Sequence, residues 1–150
     1  MSDPLPIAGR CLCGSVTFAA KAKSRDVTAC HCSRCARWSG GVLMSLDVLE
    51  EPAFTGRDKI GIYRSSEWGE RGFCSVCGAS LFWKLVGKDY YTLSAGALDD
   101  PSQLHLALEI FMDDKPAYYA FANDTVKMTG AEATAALIAA QEADAATDRM

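Results

Sequence analysis

The residues of this sequence that could do the most chemistry are its seven cysteines. They stand at Cys11, Cys13, Cys30, Cys32, Cys35, Cys74 and Cys77, and none is isolated. The spacings are C-x-C, C-x-C-x-x-C and C-x-x-C. Scattered cysteines read as small apolar core residues. Clips this tight read as metal ligands, because a metal needs several thiolates at about 2.3 Å from one point. Seven is odd, so any disulfide scheme leaves a thiol over. Zinc is the expected ion, and its kind follows from counting. A structural zinc takes four protein ligands, whereas a catalytic zinc keeps three and leaves a position for water or substrate. Cys11, Cys13, Cys74 and Cys77 supply four, and the run Cys30-His31-Cys32-Ser33-Arg34-Cys35 supplies three. The simplest partition is two Zn²⁺ per chain, one closed and one open. Two other partitions stay open: a central clip shared between metals, or recruitment of His31. On an extended stretch, His31 points to the face opposite its cysteine neighbours, so a hydrogen-bonding or packing role is expected of it. Gly14 and Gly78 each follow the last cysteine of a clip. A glycine there permits the positive φ that turns backbone N–H groups toward sulfur.

These ligands must be positioned by a mostly β framework. Ser15–Ala20 alternates, with Val16, Phe18 and Ala20 on one face. Val42 to Val48 alternates as well, and Ile60–Arg64 and Leu81–Val86 are short β-rich runs. Tyr91, Leu93 and Ala95 share a face, and Leu104 to Met112 gives the clearest period of two. His105 in that run reads as a surface strand residue. Breakers at Glu51-Pro52, Gly56, Gly87, Asp100-Pro101 and Lys115-Pro116 separate the runs. Thr129-Gly130-Ala131-Glu132 has the form of a capping box opening an Ala-rich helix over about 131–146. Its only large apolar residues are Leu137 and Ile138, so its packing is expected to be weak. The expectation is a single mainly antiparallel β domain over 1–150 with a C-terminal helix. Zinc at the outer clips would staple the N-terminal segment to mid-chain.

Composition narrows the function classes. With 49% hydrophobic and 23% charged residues the chain reads as a soluble globule, not a disordered or low-complexity one. No apolar run reaches the roughly 18 residues of a membrane span, so no membrane partner is expected. A formal net charge of -4 argues against nucleic acid as a partner. The opening MSDPLPIAGR has no basic or apolar leader region, and the free thiols suit a reducing compartment, so a cytoplasmic location is expected. A homo-oligomer is compatible with all of this.

A family resemblance rests on Gly9-x-Cys11-x-Cys13-Gly14-x-Val16-x-Phe18, on Cys30-His31-Cys32-Ser33-x-Cys35 with Ser39-Gly40, and on Phe73-Cys74-x-x-Cys77-Gly78-x-x-Leu81. Over about residues 7–121 the sequence resembles the glutathione-dependent formaldehyde-activating enzyme family, whose superfamily includes centromere protein V. The resemblance implies a β-tent of coiled sheets. It also implies a structural zinc on Cys11, Cys13, Cys74 and Cys77 and a catalytic zinc on Cys30, Cys32 and Cys35, in agreement with the count. The implied reaction joins formaldehyde and glutathione to S-(hydroxymethyl)glutathione, a carbon–sulfur lyase step in reverse. Some positions depart from the family pattern. Ala36, followed by Arg37, stands where an Arg is frequent. Glu109-Ile110-Phe111 stands for His-Ile-Phe, and Tyr118 and Tyr119 occupy a region where a Trp is frequent.

Three thiolates on a divalent ion leave a formal charge of about -1. Such a site activates water poorly but suits a small-molecule thiol, which a coordinating metal deprotonates. Attack of that sulfur on an aldehyde would give a hemithioacetal. Arg34, Arg37 and Arg71 are candidates to bind a substrate carboxylate or oxyanion. Trp38 and Trp68 could wall a pocket or simply pack. Two other readings are a zinc scaffold that binds a protein partner, which has no need of an open metal position, and a thiol redox sensor built on Cys30, Cys32 and Cys35.

Overall fold

The structure, a computed structural model, describes residues 3–148. It is mainly β, with two sheets and a C-terminal helix. The chain opens with β1 (Leu5–Arg10), β2 (Thr17–Ala22) and β3 (Asp26–Cys30), followed by a short helix α1 (Ser33–Ser39). Six strands follow: β4 (Leu43–Asp47), β5 (Ala53–Thr55), β6 (Ile60–Arg64), β7 (Gly69–Cys74), β8 (Ser80–Leu85) and β9 (Tyr91–Ser94). The last elements are β10 (His105–Ile110), β11 (Val126–Lys127) and α2 (Gly130–Asp148). One sheet has the order β1-β2-β5, and the other runs β11-β10-β3-β4-β9-β8-β7-β6. Most pairings are antiparallel, but β10 runs parallel to both β3 and β11.

The main core lies between the sheets. Ile7 and Phe18 of the small sheet, with Val16 just before β2, meet Leu46, Leu81, Phe82, Tyr91 and Leu93 of the large one, with Val48 just after β4. Phe54 of β5 bridges them, its ring 5.3 Å from Phe82 and 6.2 Å from Phe18 between centroids. A separate cluster holds Cys30, Cys35 and Leu43 with Cys32, Trp38, Ile110 and Phe111 packed around them. The central cysteines therefore have their own apolar seat.

Several expected strands fall where the alternation placed them, and β6 matches its run to the residue. The capping box forms with both bonds: Glu132 N–H donates to Thr129 Oγ1 at 3.2 Å, and Thr129 N–H to Glu132 Oε1 at 2.9 Å. Helix α2 is longer than expected, starting at Gly130, and it leaves Ile138 53% exposed. Helix α1 had no counterpart in the reading of strand periods. Its start is marked by Cys32, whose sulfur accepts from Cys35 N–H, and its end by Gly40 at φ 84°. Among the described residues, no helix is long and apolar enough to cross a membrane.

Candidate metal centres

Two turns bring the outer clips together. Cys11 follows β1, and Cys74 ends β7. Each clip closes on its glycine, with Gly14 at φ 83° and Gly78 at φ 80°. The sharp turns aim N–H groups at sulfur: Val16 N–H lies 3.3 Å from Cys11 Sγ, and Cys77 N–H lies 3.4 Å from Cys74 Sγ. The four sulfurs all lie within 4.8 Å of one another, with Cys13 Sγ 3.7 Å from Cys11 and 3.8 Å from Cys74. Backbone bonds and neighbouring thiols pull Cys77 down to about 6. Four converging soft sulfurs are a fit for zinc.

The central clip gathers around the start of α1. Cys30 is the last residue of β3, Cys32 is the N-cap of α1, and Cys35 lies in its first turn. Their sulfurs also fall within 4.8 Å of one another, and among the described residues no fourth His, Cys, Asp or Glu joins them. Cys30 and Cys35 are buried and Cys32 is half-buried. Hydrogen bonds with Cys30 and then Cys35 hold the Cys32 thiol far below its ordinary value, hydrogen bonds with Cys32 and then Cys35 push Cys30 up, and Cys35 is raised as well.

Two side chains, Arg71 and Trp38, pack against this trio. Arg71, on β7, donates from Nη1 to Cys35 Sγ at 3.5 Å and from Nε to Ser65 Oγ at 2.9 Å. Trp38 lies under it, 5.2 Å from ring centroid to guanidinium. Arg34 and Arg37 are exposed on α1. Trp68 is 43% exposed and packs edge-on to Trp83.

His31 is buried between two of the cysteines, and both of its ring nitrogens are engaged. Nε2 lies 2.9 Å from Glu109 Oε1, and Nδ1 lies 2.6 Å from the Tyr119 hydroxyl. An ionised Glu109 only accepts, so Nε2–H donates to it; in the neutral ring, Nδ1 then accepts from Tyr119 O–H. The other Glu109 oxygen accepts from Thr125. Sequence reasoning foresaw a hydrogen-bonding role for His31 but not its partners. Glu109 and Tyr119 are two of the positions where the chain departs from the pattern described above, and they meet on one imidazole.

A family model described as glutathione-dependent formaldehyde-activating enzyme matches residues 6–114. An uncharacterized lyase of Schizosaccharomyces pombe is 30% identical over 122 residues, which is 81% of this chain and 89% of that protein. A crystal structure of a Rhodobacter sphaeroides protein superposes with a TM-score of 0.54 at 20% identity, covering 62% of this chain and 88% of that one. That last likeness concerns the fold alone.

Proposed function

The chain belongs to the glutathione-dependent formaldehyde-activating enzyme family, and from that membership we propose that it is a carbon–sulfur lyase joining a small thiol to an aldehyde. Glutathione and formaldehyde are the substrates the family description names. The product would be a hemithioacetal, S-(hydroxymethyl)glutathione for that pair. The observation that carries this reading is the largely buried sulfur trio of Cys30, Cys32 and Cys35, which no fourth His, Cys, Asp or Glu among the described residues joins. A scaffold would close such a site; an enzyme leaves it open.

In this reading Cys11, Cys13, Cys74 and Cys77 would hold a structural zinc, and Cys30, Cys32 and Cys35 a catalytic one. A metal held by the trio would supply an electropositive centre that stabilises the thiolate form of a small-molecule thiol. The chain's own residues do the rest. The apolar seat of Leu43, Trp38, Ile110 and Phe111 restricts water around the sulfurs. Arg34 and Arg37 on the exposed face of α1 are available to substrate carboxylates. His31, clamped by Glu109, fixes the backbone between two ligands.

The test is thiol-dependent consumption of formaldehyde by zinc-loaded protein, set against the spontaneous addition without protein. Acceleration by wild type and its loss in Cys32→Ser is the expected result. No acceleration with glutathione or any other small thiol overturns the reading.

A further inference from the structure

Arg71 carries a positive charge into the interior with no carboxylate to meet it. It is 5% exposed. Among the described residues it enters no ion pair with an Asp or Glu. Its contacts are the Ser65 hydroxyl, the Trp38 ring and the Cys35 sulfur. A hydroxyl and an aromatic face do not neutralise a guanidinium, and a buried charge without a counter-charge is strongly disfavoured. The group in contact with it that metal binding would make anionic is the cysteine trio, reached through Cys35. The strand matters too: β7 carries Arg71 three residues before Cys74, so the quartet knuckle anchors the strand that presents this charge.

Charge bookkeeping gives the contact a purpose. Three thiolates around a divalent ion total about -1, and a substrate thiolate would bring the cluster to about -2. An anion joining an anionic, half-dry site is repelled unless a fixed positive charge offsets it. We propose that Arg71 is that fixed charge, a positioning residue that acts through Cys35 to let an anionic thiol join the trio. This rests on the function proposed above. It also differs from direct contact with a substrate carboxylate, because two of the guanidinium's donors are committed to Cys35 and Ser65.

The experiment uses holoprotein with cobalt(II) in place of zinc, titrated separately with glutathione and with neutral imidazole. Wild type, Arg71→Met and Arg71→Lys are compared by their visible and sulfur-to-cobalt bands. Arg71→Met should keep two metals per chain, and its charge-transfer band should move to lower energy as Cys35 loses its donor. Glutathione should bind at least about tenfold more weakly, imidazole within about twofold of wild type, and Arg71→Lys should recover most of the thiol affinity. If Arg71→Met does not retain both metals, Arg71→Gln serves in its place. The proposal fails if thiol affinity is unchanged, if imidazole is lost in proportion, or if the lysine variant falls with the methionine one. Wild-type protein that takes no thiol at all would instead sink the function reading, and the band shift in the Arg71 variant would still report on its contact with Cys35.

Discussion

His31 and Glu109 form a buried pair, with Nε2 and Oε1 2.9 Å apart and side chains 0% and 2% exposed. The two residues are 78 positions apart in sequence. The pair ties the junction of β3 and α1, where the three central sulfurs sit, to β10. His31 N–H also donates to Ile110 O at 3.1 Å, so backbone and side chain grip the same strand. The clip is held in shape by protein contacts as well as by any metal.

Glu109→Gln should therefore weaken the central site more than the outer one. A buried, charge-assisted hydrogen bond is replaced by a neutral one, at a cost of about 1–3 kcal/mol. Urea unfolding of the zinc-loaded protein reads that loss. Chelator competition should release the trio's metal at lower chelator concentration, with the quartet's release unchanged.

The same carboxylate gives a pH signature. Burial alone would raise Glu109, but bonds from Thr125 and His31 outweigh it and hold the group below its ordinary 4.5. A carboxylate depressed in the folded state contributes stability above its unfolded value, and that contribution is lost as pH falls through the lower folded value. The stability difference between wild type and Glu109→Gln should be full above about pH 5 and shrink as the solution is acidified below it. A difference that grows in acid would contradict the sign.

Much of this arrangement was legible in the residues. The clips declare themselves through spacing, since a C-x-x-C-G turn needs only local geometry to aim its sulfurs. Gly14 and Gly78 adopt the positive φ expected of them. What could not be read is long-range. Strand β7 has glycines at Gly69 and Gly72 where alternation would need side chains, so periodicity does not find it. Strand β3 is too short to give a clear period. In β10 the leucines are half-buried while Glu109 is the buried residue, because the strand turns its charged face toward His31. Helix α1 left a signal that alternation overlooked, a cysteine N-cap and a Ser39-Gly40-Gly41 stop.

Cysteine substitutions should separate the two centres. Cys32→Ser keeps an oxygen able to cap α1 but removes one of three ligands, so it should lose one metal with little change in melting temperature. Cys74→Ser should lose the other metal and also unclip β7 from the turn after β1. A loss on the order of 3 kcal/mol, or roughly 10 °C in melting temperature, is expected there. Metal content per chain and calorimetry check both.

Gly78 tests the knuckle without touching a ligand. A Cβ there meets nothing within 4 Å, so the only penalty is its φ of 80°. Gly78→Ala should cost about 1 kcal/mol, Gly78→Asn less, and Gly78→Val more. The ranking is read from denaturant midpoints, and equal effects for all three would mean that the turn relaxes.

The central claim is that one sulfur group is complete and the other has room for a substrate thiol. X-ray absorption at the zinc edge counts this directly on protein carrying two zinc ions per chain. Four sulfurs on one ion and three on the other average about 3.5 per zinc, rising to about 4 when a saturating thiol is added. A count already at 4 without thiol, or one that thiol leaves unchanged, would contradict the account.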